Sequence, residues 1–168
     1  MYFCDESGIW LEMARIFGRS PIGTRACGTQ LLRPKGRHSI IGVLGLEGVV
    51  TSFMTEDTIN GDLFLAFIKE FMCPLLKEGD VLFMDNSSIH KVSGIKEAIE
   101  AEGALLIYLP RYSPDLNPIE EMWSKVKSYL RKVGAKTSQA LQDALCQAFD
   151  SVTSEDIRGW FRHAGYCV

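Results

Sequence analysis

Hydrophobic and polar positions change period several times along the chain. The opening "MYFCD" is aromatic and weakly alternating, which predicts a strand that begins almost at the first residue and ends at Asp5. From Gly18 to Gly36 the apolar pattern lapses, and Pro21, Gly23, Gly28, Pro34 and Gly36 stand among arginines, the composition of a basic loop or arm within about 11–37. "HSIIGVLGLEGVVTSFMT" has β-branched residues on both sides of Glu47-Gly48 and predicts an antiparallel hairpin turning at Leu46 to Gly48. The period then becomes helical: Leu63, Phe64, Phe67, Ile68 and Phe71 fit one helix, capped by Asn60 and stopped near Pro74. "DVLFMDNS" and "ALLIYLP" are short apolar runs of the kind expected for buried strands, and between them "SGIKEAIEAEG" reads as a helix ended by Gly103. Three helices follow, near 117–132, 138–152 and 154–163, the last two with Ser138 and Ser154 as expected caps.

The order β-β-β-α-β-α-β-α-α-α predicts an α/β fold, a mixed five-stranded sheet that begins as a hairpin and continues through helical crossovers. Ligands in open sheets of this kind gather at strand carboxyl ends near the topological switch, where Asp5 and Asp85 are expected. A chain of 168 residues with no internal repeat fits one domain. Its longest apolar runs are broken by Glu47, Lys69 and Glu70, so no membrane span is expected. The acidic start, with Asp5 and Glu6, argues against a secretory signal, and five singly placed cysteines without C-x-x-C spacing suit a reducing compartment; the expectation is a cytoplasmic protein.

Net charge is −3, which by itself counts against a nucleic-acid partner. The distribution changes that. Between Leu11 and Arg37 lie six cations (Arg15, Arg19, Arg25, Arg33, Lys35, Arg37) and one acid, Glu12; between Met122 and Thr137 lie Lys125, Lys127, Arg131, Lys132 and Lys136 and no acid. Phosphates respond to such local fields.

Alternation along 81–85 puts Val81, Phe83 and Asp85 on one face and Leu82 and Met84 on the other. An aspartate followed by "NSS" is by itself an ordinary turn cap. If Asp5 ends a neighbouring strand, however, the two carboxylates face each other and repel unless a cation bridges them or one is protonated, and a hard divalent cation such as Mg²⁺ is the simplest resolution. "NPIE" is a sound helix start, with Asn117 as cap, Pro118 at the first position and Glu120 at the third, a capping-box spacing. Glu120 also heads a face with Ser124, Lys127 and Arg131, beside an apolar stripe of Ile119, Trp123, Val126 and Leu130. One acid leading a cationic track, fixed by Pro110 and Pro114, suits a metal-assisted enzyme acting on a phosphate backbone.

"FCDES", "FMDNSSIHK" and "YLPRYSPDLNPIEEMW" resemble the three signature blocks of the DDE transposases of the mariner superfamily, most closely its bacterial insertion-sequence branch. The 34 residues between Asp85 and Glu120 (86 to 119) match the interval of that superfamily. The resemblance implies a ribonuclease H-like fold, a catalytic and metal-binding triad of Asp5, Asp85 and Glu120, and two Mg²⁺ or Mn²⁺ ions. It implies cleavage of DNA at transposon ends and strand transfer into target DNA, commonly at TA. By the same analogy the basic arm would clasp DNA and a partner subunit in a homodimer, with Arg15, Arg19 and Arg25, together with Lys127 and Arg131, on DNA. Asn86 and His90 of the second block take supporting roles. Family members usually carry amino-terminal helix-turn-helix modules, whereas this sequence opens at the first catalytic strand, so residues 1–168 are expected to be a catalytic half.

Other readings stay open at this point: another ribonuclease H-like nuclease such as a resolvase, or a non-catalytic fragment that dimerises with or inhibits a full-length transposase. Glu6, Asp115 and Glu121 are the nearest rivals to the triad, and Trp123 and Trp160 read as core. A serine hydrolase built on Ser87 or Ser88 lacks its G-x-S-x-G elbow, and the chain has no G-x-G-x-x-G or Walker loop.

Overall fold

The computed structural model describes residues 1–15, 18–28 and 36–168. Strand β1 (Tyr2–Trp10) pairs antiparallel with β2 (Arg37–Gly45), which turns through Leu46 and Glu47 into β3 (Gly48–Thr55). Gly48 has φ +145, a conformation that glycine supplies without strain, so the hairpin closes where the sequence indicates. On its other edge β1 runs parallel to β4 (Val81–Met84), and β4 parallel to β5 (Leu105–Tyr108), giving the order β3-β2-β1-β4-β5.

Alternation along β1 and β4 divides the core in two. Phe3 and Ile9 face α3 (Pro118–Val133), α4 (Ser138–Asp150) and α5 (Ser154–His163), while Cys4, Leu82 and Met84 face α1 (Gly61–Phe67) and α2 (Ile95–Ala101). Phe3 and Phe83 stack at 4.8 Å on the first face, as period-two alternation requires.

Several elements depart from expectation. β1 does not end at Asp5 but continues to Trp10, because β2 pairs with it throughout; only its pairing with β4 stops at Cys4↔Met84. The helix after Asn60 is α-helical only to Phe67, widens to a π-helical turn over Ile68–Met72, and ends in a 3₁₀ turn over Cys73–Leu75 around Pro74, whose missing N–H cannot continue the ladder. β5 is an edge strand with Leu105 56% and Ile107 42% exposed, not a strand covered on both faces. The caps of α4 and α5 are Thr137 and Thr153, whose side chains accept from Ala140 and Asp156 N–H, with the serines one place inside. Asn117 makes no side-chain cap to α3, so the capping box expected of Glu120 is not formed.

Candidate active site

The site lies where β1 and β4 part. Asp5 and Asp85 each follow the last residue of the β1–β4 pairing, Cys4↔Met84, so the neighbouring parallel strands deliver them together; Asp5 stays paired to β2, whereas Asp85 already belongs to the loop. Asp5 is 7% exposed and points to the helical face, where the Trp123 indole Nε1 donates to its Oδ2 at 3.2 Å. The approach of that indole depends on Gly42, the register partner of Asp5 on β2: a Cβ there would lie 2.7 Å from the Trp123 ring. Trp123 is thus core, as its place in the stripe indicates, and also a hydrogen-bond partner of Asp5.

Asp85 is held from the opposite face. His90, fully buried and packed 4.4 Å from the Phe64 ring, donates from Nδ1 to Asp85 Oδ1 and from Nε2 to Glu6 Oε2, both at 2.7 Å. The Ser87 N–H also donates to Asp85 Oδ1, at 2.8 Å. Burial opposes a charge on His90, but hydrogen bonds to Asp85 and Glu6 and their negative charges outweigh it and raise its pKa to about 10, so the imidazolium persists at neutral pH. Its hydrogen bond is the main reason the Asp85 carboxyl is held below its usual range. Asp5 moves the other way, to about 7, through burial first and then the charges of Glu6, Glu120 and Asp85.

Glu120 sits exposed in the first turn of α3. It shares with Asp85 a cavity of about 500 Å³, also lined by Asn86, Asn117 and the turn from Leu109 to Pro114. That turn is tied down at several points: Leu109 N–H donates to Met84 O at 2.8 Å, Asn86 Nδ2 to Leu109 O at 3.2 Å, and the Tyr166 hydroxyl to Leu116 O at 2.9 Å. Asn86 therefore braces the turn, and Lys91 bonds its amide oxygen. Arg111 and Tyr112 line the cavity, and Tyr112 is 99% exposed with φ +58, a conformation a bulky residue rarely takes. Neither was singled out by sequence, where "PRYSP" reads only as a turn.

The three predicted acids therefore fall at one end of the sheet, Asp85 and Glu120 around one cavity and Asp5 buried beside them and electrostatically coupled to both. Among the described residues, no three His, Cys, Asp or Glu side chains are gathered closely enough to form a metal cluster. Of the rivals, Glu6 is engaged by His90 and Glu121 by His163, while Asp115 lies in the exposed turn before α3. On α3, Lys127 and Arg131 are half-buried and the stripe of Ile119, Trp123, Val126 and Leu130 is buried. Arg15, Arg19 and Arg25 are exposed on the arm; Arg33 and Lys35 lie outside the described residues.

Known proteins of similar sequence and shape can be set against this geometry. The Tcb2 transposable-element transposase of Caenorhabditis briggsae is 33% identical over 107 residues, covering 64% of this chain and 37% of that protein, so the chain spans well under half of that relative. The match is to a nematode protein, and the narrower expectation of a bacterial insertion-sequence branch finds no support in it. The mariner Mos1 paired-end complex with Mg superposes with TM-score 0.74 at 14% identity, covering 97% of this chain and 52% of that one. The catalytic domain of Mos1 mariner transposase gives 0.66 at 12%, covering 97% and 74%. The mixed sheet flanked by helices is thus the ribonuclease H-like fold of that domain. The description "DDE superfamily endonuclease" fits residues 1–142, the stretch holding all three acids, and the chain belongs to that family.

Proposed function

We propose that this chain is the catalytic part of a DNA transposase of the mariner superfamily, with Asp5, Asp85 and Glu120 as its catalytic carboxylates and two Mg²⁺ or Mn²⁺ ions as cofactors. The observation that carries the reading is the coupling of a buried Asp5 to Asp85 and Glu120 beside an open cavity. Three oxygen-donating groups from two strand ends and a helix start, mutually repelling, are a donor set suited to hard divalent cations. Bound ions of this class supply positive charge to the attacking and leaving oxygens of an in-line phosphoryl transfer.

The chain's own residues do the rest. Asp5 must give up its proton to serve as a ligand, and His90 keeps Asp85 ionised. Asn86 and the proline turn hold the start of α3 against the strand ends, which fixes Glu120. Lys127, Arg131 and the arm residues Arg15, Arg19 and Arg25 would bind flanking phosphates, which position the duplex without reading its sequence. The proposed partners are transposon-end and target DNA and a second copy of the chain, acting in the cytoplasm; among the described residues no helix is long and apolar enough to cross a membrane. Assignment to the bacterial insertion-sequence branch would rest on the signature blocks alone.

The test is strand cleavage of a terminal-repeat DNA by the purified protein in Mg²⁺ or Mn²⁺. Cleavage that disappears in Asp85→Asn is expected. Cleavage that persists in that variant refutes the assignment, and intact DNA with the unaltered chain favours a non-catalytic role.

A further inference from the structure

Each aspartate of the site has one oxygen already committed. Asp5 Oδ2 accepts from the Trp123 indole, and Asp85 Oδ1 accepts from both His90 Nδ1 and Ser87 N–H. The anchors come from opposite faces of the sheet: Trp123 from α3 on one side, and His90 from the loop packed on Phe64 on the other. Glu6 follows Asp5 in sequence, so strand alternation turns it away from Trp123 and toward His90, where Nε2 holds it.

On the reading that Asp5 and Asp85 are metal ligands, we propose that Trp123 and the Glu6–His90 pair are positioning residues that fix one oxygen of each aspartate and leave the other oxygen to the cation. Each aspartate is then a one-oxygen ligand in a set orientation. Glu6, although a carboxylate adjacent to Asp5, is kept out of the ligand set by His90. A free carboxylate can rotate to offer either or both oxygens, and donors outside the ligand set are what usually remove that freedom. Trp123 also links the third acid, since it lies three residues after Glu120 on α3: the indole that orients Asp5 fixes the helix carrying Glu120 against the sheet.

The test is Mn²⁺ binding to the full chain, read from the loss of the free-ion electron paramagnetic resonance signal, with thermal melting of each variant in chelator as the measure of folding. Asp5→Asn and Asp85→Asn report on the ligands themselves. Trp123→Phe keeps a ring but removes the donor, and His90→Ala removes both of its bonds; each is expected to weaken Mn²⁺ binding roughly 10–100-fold. His90→Gln, which can donate to one carboxylate but not both, should fall between His90→Ala and the unaltered chain, and serves if His90→Ala does not fold. Glu6→Gln should weaken binding less than His90→Ala, and Glu6→Gln combined with His90→Ala should bind within about two-fold of His90→Ala alone, because Glu6 acts through His90.

If the anchor variants bind like the unaltered chain while Asp5→Asn and Asp85→Asn abolish binding, the anchoring role is wrong and the ligand assignment stands. If Glu6→Gln abolishes binding as fully as Asp85→Asn, Glu6 is itself a ligand and the proposal fails. If Asp5→Asn and Asp85→Asn both bind Mn²⁺ normally, the metal-site reading itself fails, and the anchoring proposal with it.

Discussion

Asp5 is an acid that folding has made weaker, and the consequence for stability has a definite sign. With its pKa raised to about 7, the folded chain holds a proton there that the unfolded chain, titrating near 4, has released. Stability of chelator-treated protein should therefore fall as pH rises from about 4 to about 7, by an amount on the order of a few kcal/mol. His90 adds to the trend at higher pH: its raised pKa gives stability fully present below about 6.5 and lost as pH climbs toward 10. Urea titrations across pH check both, and Asp5→Asn should flatten the acid limb while leaving the alkaline one. The same proton competes with a cation, so Mn²⁺ affinity should rise through pH 7; an affinity flat between pH 6 and 8 would contradict the protonation of Asp5. The acids proposed for the site were chosen from their spacing and signature blocks, and the structure brings Asp85 and Glu120 to one cavity with Asp5 beside them. The Glu6–His90 bond was not, since it joins residues 84 apart across a sheet whose register no local pattern encodes.

Helices and strands were read from period, and the errors follow from how neighbours complete them. "KTSQAL" and "VTSEDI" each offer two hydroxyl residues in succession, and the cap is the one that stays extended; for α5 the decisive partner is Asp156, which returns a bond to the Thr153 N–H. Thr153→Ala should cost about 1 kcal/mol in chemical denaturation. β5 looked buried because its residues are apolar, but a last strand has no outer neighbour and the α3–α5 layer leaves Leu105 and Ile107 open. Gly42 shows the reverse case, a residue without signal in a strand pattern that sets the site. Gly42→Ala should destabilise the chain by roughly 1–3 kcal/mol through overpacking, because its new methyl meets Trp123. It should also shift the Trp123 fluorescence; an unchanged spectrum and stability would mean the indole has room to move.

Across the whole molecule, one sheet edge supplies the hairpin and the other the parallel strands, and the site falls at their junction on β1. The fold was legible at this scale because each crossover and the Glu47-Gly48 turn left a mark in the sequence. The course of the arm was not, because its pattern carries no period. Its base is nonetheless fixed: Leu11 N–H donates to Gly36 O at 3.1 Å, and Glu12 N–H to Ala135 O at 2.7 Å, which ties the arm to the end of α3. Replacing Arg15, Arg19 and Arg25 by alanine should weaken binding to transposon-end DNA and lower the slope of log affinity against log salt by roughly 3, near 0.9 for each phosphate that an arginine no longer neutralises. Mn²⁺ binding should be untouched, and a gel-shift series showing unchanged end binding would remove the arm from the DNA interface. The central claim, that Asp5, Asp85 and Glu120 share divalent ions, is tested most directly by anomalous diffraction from crystals of the chain soaked in Mn²⁺. The account predicts two Mn²⁺ peaks among these three carboxylates, with Glu6 still on His90; no peak there, or one held by Glu6, would contradict it.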